Sequence, residues 1–182
     1  MRPVVNSTFV TLDGVINHMD RWHFDYVDAE SDTMALDQLE AADALLMGRN
    51  TYEIYAAVWP QRDDPYAKRI NSMRKYVASS QLTNPQWDNT TVIGGDLVDT
   101  VADLRAGEGG NLLMHGFGPV AKTLLAAGLL DELHLWYHPA LVGIGGPGDV
   151  LFTDGLSAEL RHIHTRQLGS GVVILSYRSV TK

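Results

Sequence analysis

The chain contains no cysteine. Disulfides, thiolate nucleophiles and cysteine-ligated zinc are thereby excluded, which removes both a stapled secreted scaffold and a zinc-dependent deaminase. No apolar run approaches the roughly 20 residues that span a bilayer, and no repeat or low-complexity tract is visible. The opening Met1-Arg2-Pro3-Val4-Val5-Asn6-Ser7 lacks the cleavage pattern of a secretory signal, so a cytoplasmic protein is expected. Basic residues are few: 14 Lys and Arg stand against 22 Asp and Glu, for a net charge of −8. That balance opposes nonspecific binding to nucleic acid or an anionic membrane, and small-molecule chemistry becomes the default.

Several catalytic signatures are missing as well. Neither GxxxxGK[ST], HExxH nor GxSxG occurs, so a P-loop, a zincin and a hydrolase nucleophile elbow are set aside. His134 and His138, and His162 and His164, fall on predicted strands, and no metal site is expected from them. What is left is chemistry that needs no covalent protein intermediate and takes its reactive atom from a cofactor.

With 182 residues, 45% of them hydrophobic, residues 1–182 are expected to form one domain. Val4 to Thr11 reads as a first strand, closed by Asp13-Gly14, and residues 17–28 as an aromatic loop. Ser31 is placed as the cap of a helix carrying Ala35, Leu36, Leu39 and Ala42, followed by a strand at Ala44 to Met47 and a brief helix from Thr51 to Tyr55. After an irregular excursion and a basic helix, strands are expected at Lys75 to Ser79 and Thr90 to Ile93. Asp96 then caps a helix, Asn111 to Met114 forms a strand, and Pro119 and Gly128 bound another helix. Alternation from Glu132 puts Leu133, Leu135 and Tyr137 on one side and His134, Trp136 and His138 on the other. Arg161 to Arg178 reads as a hairpin turning at Gly169-Ser170-Gly171. The fold class is therefore α/β: a mostly parallel central sheet with helices on both faces and an antiparallel C-terminal hairpin.

Twice an apolar run ends in glycine before a helix start, at Leu45-Leu46-Met47-Gly48-Arg49-Asn50-Thr51 and at Leu112-Leu113-Met114-His115-Gly116-Phe117-Gly118-Pro119. Such a junction leaves backbone N–H groups unpartnered at the positive end of a helix dipole, which favours phosphate. Gly116, Gly118 and Ala121 satisfy GxGxxA, although late in the chain. Arg49 is a planar cation suited to phosphate, Thr51 offers a hydroxyl and a cap, and Ser79-Ser80 and Gly94 fall at further strand ends. The basic stretch Arg62 to Lys75 is either a solvated face or an attractor for a phosphorylated ligand. Trp22, Phe24, Tyr26 and Trp59 either stack on a planar ring or pack in the core.

Ser7-Thr8-Phe9-Val10-Thr11-Leu12-Asp13-Gly14-Val15-Ile16, Ala42-Asp43-Ala44-Leu45-Leu46-Met47-Gly48-Arg49-Asn50-Thr51-Tyr52-Glu53 and Lys75-Tyr76-Val77-Ala78-Ser79 resemble the reductase domain of the riboflavin-biosynthesis deaminase-reductase family, a dihydrofolate-reductase-like group. Gly128 to Leu133, His138 to Gly143 and Leu151-Phe152 continue the pattern in order. The resemblance implies a dihydrofolate-reductase-like fold, NADPH as hydride donor and a homodimer. It places Gly48, Arg49 and Thr51 at cofactor phosphates, Ser79 and Ser80 near the adenosine ribose phosphate, and Gly94 and His115-Gly116-Phe117-Gly118-Pro119 along the cofactor. Asp13-Gly14 would border nicotinamide and substrate. Independently of the resemblance, the stacking alternative makes Trp22, Phe24 and Trp59 the candidate substrate-facing side chains, with a proton expected from water or an acid near Asp13.

The family's arginine-containing stretch before the second strand is replaced here by Asp37-Gln38-Leu39-Glu40. That leaves the substrate open between a ribosylaminopyrimidine phosphate, namely 5-amino-6-(5-phosphoribosylamino)uracil, and a pterin, for which Asp25, Asp28 and Glu30 are positional candidates as the binding acid. Two other classes stay in view: a nonenzymatic nucleotide-binding regulator, and a flavin- or F420-using oxidoreductase on the same scaffold.

Overall fold

The computed structural model describes residues 1–151 and 155–180; Phe152, in the last motif of the resemblance, lies outside them. Strands β1 (Val4–Thr11), β2 (Ala42–Gly48), β3 (Arg74–Ala78), β4 (Thr90–Ile93), β5 (Asn111–His115), β6 (Glu132–His138), β7 (Leu160–Gln167) and β8 (Val173–Ser179) form one sheet in the order β4-β3-β2-β5-β1-β6-β8-β7. The first six in that order are parallel, and β8 and β7 add antiparallel at one edge.

The helices are α1 (Ala29–Glu40), α2 (Arg49–Val58), α3 (Pro65–Ser72), α4 (Leu97–Ala106) and α5 (Pro119–Ala126). Connections leaving β1, β2 and β3 step toward the β4 edge, whereas those leaving β4 and β5 step back toward β6. Right-handed crossovers therefore send α1, α2 and α3 to one face and α4 and α5 to the other. Packing follows that division. Leu39, Tyr52 and Ile70 cover Leu45, Met47 and Leu113 on the first face, while Val101, Ala121 and Leu124 cover Val4, Leu46 and Leu112 on the second. In β6, Leu133 and Leu135 join the second core and Trp136 the opposite face, as the alternation predicted.

Local chemistry moves three of the expected boundaries. Asp28, not Ser31, caps α1: its Oδ1 accepts from the Ser31 amide at 2.8 Å while the Ser31 hydroxyl accepts from the Asp28 amide at 2.8 Å, a reciprocal box that starts the helix three residues earlier. Ala42 belongs to β2. Thr51 is not a cap either, because α2 begins at Arg49 directly after Gly48, with no side chain capping it.

The basic stretch divides: Arg62, Lys68 and Arg74 are exposed, whereas Arg69 and Lys75 are tied into the fold. Arg69 donates to the carbonyls of Leu39 and Ala42. Lys75 is wholly buried, with Nζ donating to the carbonyls of Asn71, Met73 and Asp88 at 2.8, 2.8 and 3.1 Å and lying 4.3 Å from the centre of the Trp87 ring. Burial pulls its pKa down to about 8. Replacing Lys75 by Met would leave those carbonyls without a donor, so Lys75→Met is expected to lower the unfolding free energy by about 2–4 kcal/mol in urea titrations. A loss below about 0.5 kcal/mol, the ordinary effect of a surface change, would contradict this role.

Candidate active site

The strand order inserts β5 between β2 and β1, so the two glycine-terminated runs end side by side. Gly48 is the N-cap of α2 and Gly118 the N-cap of α5, and neither helix start has a side-chain cap. Their proximity is tight: a Cβ on Gly48 would come within 3.3 Å of Val120 Cγ2 in the first turn of α5. Around Gly116 (φ +74°) and Gly118 nothing lies within 4 Å of an added Cβ, which leaves the turn open to a ligand. Pro119 supplies no amide, but its fixed φ suits the first helical position.

The Gly116 reversal is held from below by β1. The Gly116 amide donates to the Ser7 carbonyl at 3.2 Å, Asn6 Nδ2 donates to the Gly116 carbonyl at 2.8 Å, and Thr8 Oγ1 donates to Asn6 Oδ1 at 2.7 Å. Asn6 and Thr8 are fully buried, and Phe117 is buried beside them. These two polar residues received no role from the sequence; their signal was the polar run Asn6-Ser7-Thr8, flanked by apolar residues inside β1.

Farther along the same sheet end, the Ser79 amide donates to the Ile93 carbonyl at 3.1 Å and a Cβ on Gly94 would lie 4.0 Å from the Ser79 carbonyl. Ser79 Oγ accepts from the amides of Gln81 and Leu82 at 3.1 and 3.0 Å, and Ser80 is exposed. Arg49 is exposed, with Nη1 3.5 Å from Glu53 Oε1 on the next turn.

A cavity of about 570 Å³ opens on the α1–α3 face. Phe24 and Trp59 stand in its wall as expected for substrate-facing aromatics, but Trp22 does not. Trp22 is buried behind the wall, its indole N–H donating to the Asn17 carbonyl at 2.9 Å and its ring 4.9 Å from His138. Phe9, His23, Tyr26, Tyr55, Tyr66, Trp136 and His138 take the remaining aromatic positions. The Tyr55 hydroxyl lies 3.0 Å from His115 Nδ1, which ties this cavity to the end of β5. Desolvation brings the His115 pKa down to about 4 and raises that of Tyr55.

The profile of the RibD C-terminal domain matches residues 2–174. The chain belongs to this family. Among curated relatives it is 29% identical to the uncharacterized protein YyaP of Bacillus subtilis (strain 168) over 183 aligned positions, covering 97% of this chain and 94% of YyaP. Among solved structures it is similar to a putative riboflavin biosynthesis protein from Shewanella sp. PV-4, with TM-score 0.72, 28% identity and full coverage of both chains. It also shares its fold with the diaminohydroxyphosphoribosylaminopyrimidine deaminase/5-amino-6-(5-phosphoribosylamino)uracil reductase of Thermotoga maritima, at TM-score 0.66 and 15% identity, spanning 57% of that longer chain. Among the described residues no helix is long and apolar enough to cross a membrane.

Within this RibD-type domain Asp13 is an anchor for a neighbouring loop. Its Oδ2 accepts from the amides of Val142 and Gly143 at 3.1 and 2.7 Å, and its Oδ1 accepts from Thr11 Oγ1 at 2.5 Å. Those bonds, the Thr11 hydroxyl first, hold the carboxyl below its usual range, so it is ionised at neutral pH and suited to accept rather than give a proton. Asp28 and Glu30 are likewise engaged, the one capping α1 and the other bonded to Arg166 and the Gly169 amide; the acids of the cavity wall are Asp32 and Asp64.

The half-buried His115 fixes a direction of pH dependence. His115 takes a proton near 6.5 when unfolded and near 4 when folded, so between those values the unfolded chain binds more protons and stability falls as pH falls. The change is worth up to about 3 kcal/mol by pH 4. Urea midpoints are expected to drop between pH 7 and pH 4.5, and His115→Asn to flatten that slope; a wild-type midpoint constant over this range would contradict it.

Proposed function

We propose that this chain is an NADPH-dependent reductase of a small planar heterocycle, working as a cytoplasmic homodimer in the manner the family resemblance implies. One observation carries the reading: two uncapped helix starts lie against each other on the carboxyl end of a parallel sheet, and the Tyr55–His115 contact joins the end of β5 there to an aromatic-walled cavity. The residues present fit the cofactor. The open turn at Gly116 to Gly118 leaves room for a diphosphate, and Gly48 lets the start of α2 approach Val120 in the first turn of α5. Arg49 and Thr51 in the first turn of α2 add a cation and a hydroxyl. Ser79, Ser80 and Gly94 extend the same edge toward the adenosine side.

When bound, the cofactor supplies a hydride for the carbon of a C=N or C=C bond, and a proton from water or the cavity wall completes the reduction. The protein's own part is orientation and exclusion of water. Phe9, Phe24 and Trp59 offer flat faces for a ring, and Arg62, 5.0 Å over the Trp59 ring, places a cation in the wall for a phosphorylated substituent. This supports a riboflavin-pathway pyrimidine such as 5-amino-6-(5-phosphoribosylamino)uracil, with a pterin as the alternative of the same shape.

Titration with NADPH is expected to give a saturable change in tryptophan fluorescence at submillimolar cofactor, and absence of saturation would count against the reading. Arg49→Ala is expected to weaken NADPH by about tenfold while changing NADH by less than about twofold, since a guanidinium contact to the 2′-phosphate that NADH lacks is worth on the order of 1.4 kcal/mol. Equal losses for both would assign Arg49 to the diphosphate the two share and remove it from the 2′-phosphate. Cofactor binding without oxidation across pterins, flavin precursors and quinones would point to a regulatory nucleotide-binding protein instead.

A further inference from the structure

The cavity wall holds an ordered pair of imidazoles. His138 Nδ1 lies 2.9 Å from the Trp136 carbonyl oxygen, and His138 Nε2 lies 3.0 Å from His23 Nδ1. A carbonyl only accepts, so His138 Nδ1 carries the hydrogen. Burial holds both rings below their ordinary pKa, His23 to about 4, and two cations at this separation would repel, so the pair is neutral at pH 7. His138 Nε2 is then a lone pair, and His23 Nδ1 must donate to it. This chain of single choices leaves His23 Nε2 unprotonated and accepting.

The ring cannot readily turn away from that state. It stacks on Phe9 with centroids 4.2 Å apart and planes inclined by 21°, and His138 behind it is 1% exposed and packed edge-on against Trp22. His23 Nε2 has no partner among the described residues and is not sealed from solvent. Several other polar groups of the wall are committed, while the exposed Asp32 carboxylate and the Tyr66 hydroxyl have no partner among the described residues. Tyr26 donates to the Pro139 carbonyl, Thr33 to the Ala29 carbonyl and Trp136 Nε1 to Ser7 Oγ, and Tyr55 pairs with His115.

We propose that His23, locked by His138 as its positioning partner, is the fixed hydrogen-bond acceptor by which this cavity selects its ligand, admitting a planar heterocycle that offers a ring N–H and discriminating against one that is N-substituted there. The inference rests on the reading of the cavity as the substrate site. Once a bound ligand covers such an acceptor, the site rejects a ligand lacking the matching donor more strongly than an apolar pocket rejects a change of size, because the acceptor loses its water and is left unpaired.

The test uses the full chain saturated with NADPH, and as probes lumazine, which has two ring N–H groups, and its N,N-dimethyl derivative, which has none. Wild type is expected to bind lumazine about tenfold or more tightly than the dimethyl compound, and His23→Phe, which keeps the stack on Phe9, to bring the two within about twofold. Equal affinities in wild type, or binding of neither probe, overturn the proposal. A second readout needs no ligand and no variant: nitrogen chemical shifts of histidine-labelled wild type at pH 7 are expected to show both rings as Nδ1–H tautomers, and an Nε2–H tautomer at His23 overturns it. Failure to bind NADPH would count against the proposed function, while the tautomer measurement still decides the state of His23.

Discussion

The arrangement on which the rest depends is the placing of β5 between β2 and β1. It lays two helix N-termini, with opposite crossover directions, against one another at a single sheet end, so that their unpartnered amides converge instead of pointing to separate solvent. Glycine makes the approach possible at Gly48, where Val120 already crowds the missing Cβ, and at Gly116, whose positive φ suits a residue without one. The buried Asn6 and Thr8 then bind the Gly116 carbonyl from beneath, so the reversal is held by polar bonds inside the core and not by the ligand it would receive. A turn fixed in this way needs little reorganisation on binding, which is the condition for backbone dipoles to act on a phosphate with full effect.

Much of this was legible in the sequence, because the strands announce themselves. Val4–Thr11, Thr90–Ile93 and the alternation after Glu132 are stretches in which local pattern and tertiary burial agree. So do Asp96 and Pro119 as helix starts. The expectation failed where two caps compete within four residues. Asp28 and Ser31 both have the chemistry of an N-cap, and their reciprocal bonding makes Asp28 the cap and Ser31 its third-position partner. Nor could composition reveal Lys75 as a buried tether, since a lysine followed by an aromatic strand reads as a surface cation until the three carbonyls that meet its ammonium are seen.

The site was legible in its glycines and poorly legible in its aromatic and histidine side chains. Glycine junctions are properties of consecutive residues, so spacing alone reveals them. The cavity instead gathers Phe9, His23, Tyr55 and His138 from four distant segments, and Trp22, one residue from His23, faces packing while His23 faces the opening. Asp13, expected to border the substrate, has its carboxylate held by two amides and a hydroxyl, and this anchors a neighbouring loop.

The central claim is that the amides at the start of α2 and α5 act together on one anionic ligand. Backbone amide NMR during an NADPH titration addresses it directly. The account predicts that Asn50 and Thr51 on one helix and Val120 and Ala121 on the other shift together along one saturation curve. Saturation that moves only one of these helix starts, or neither, would contradict it.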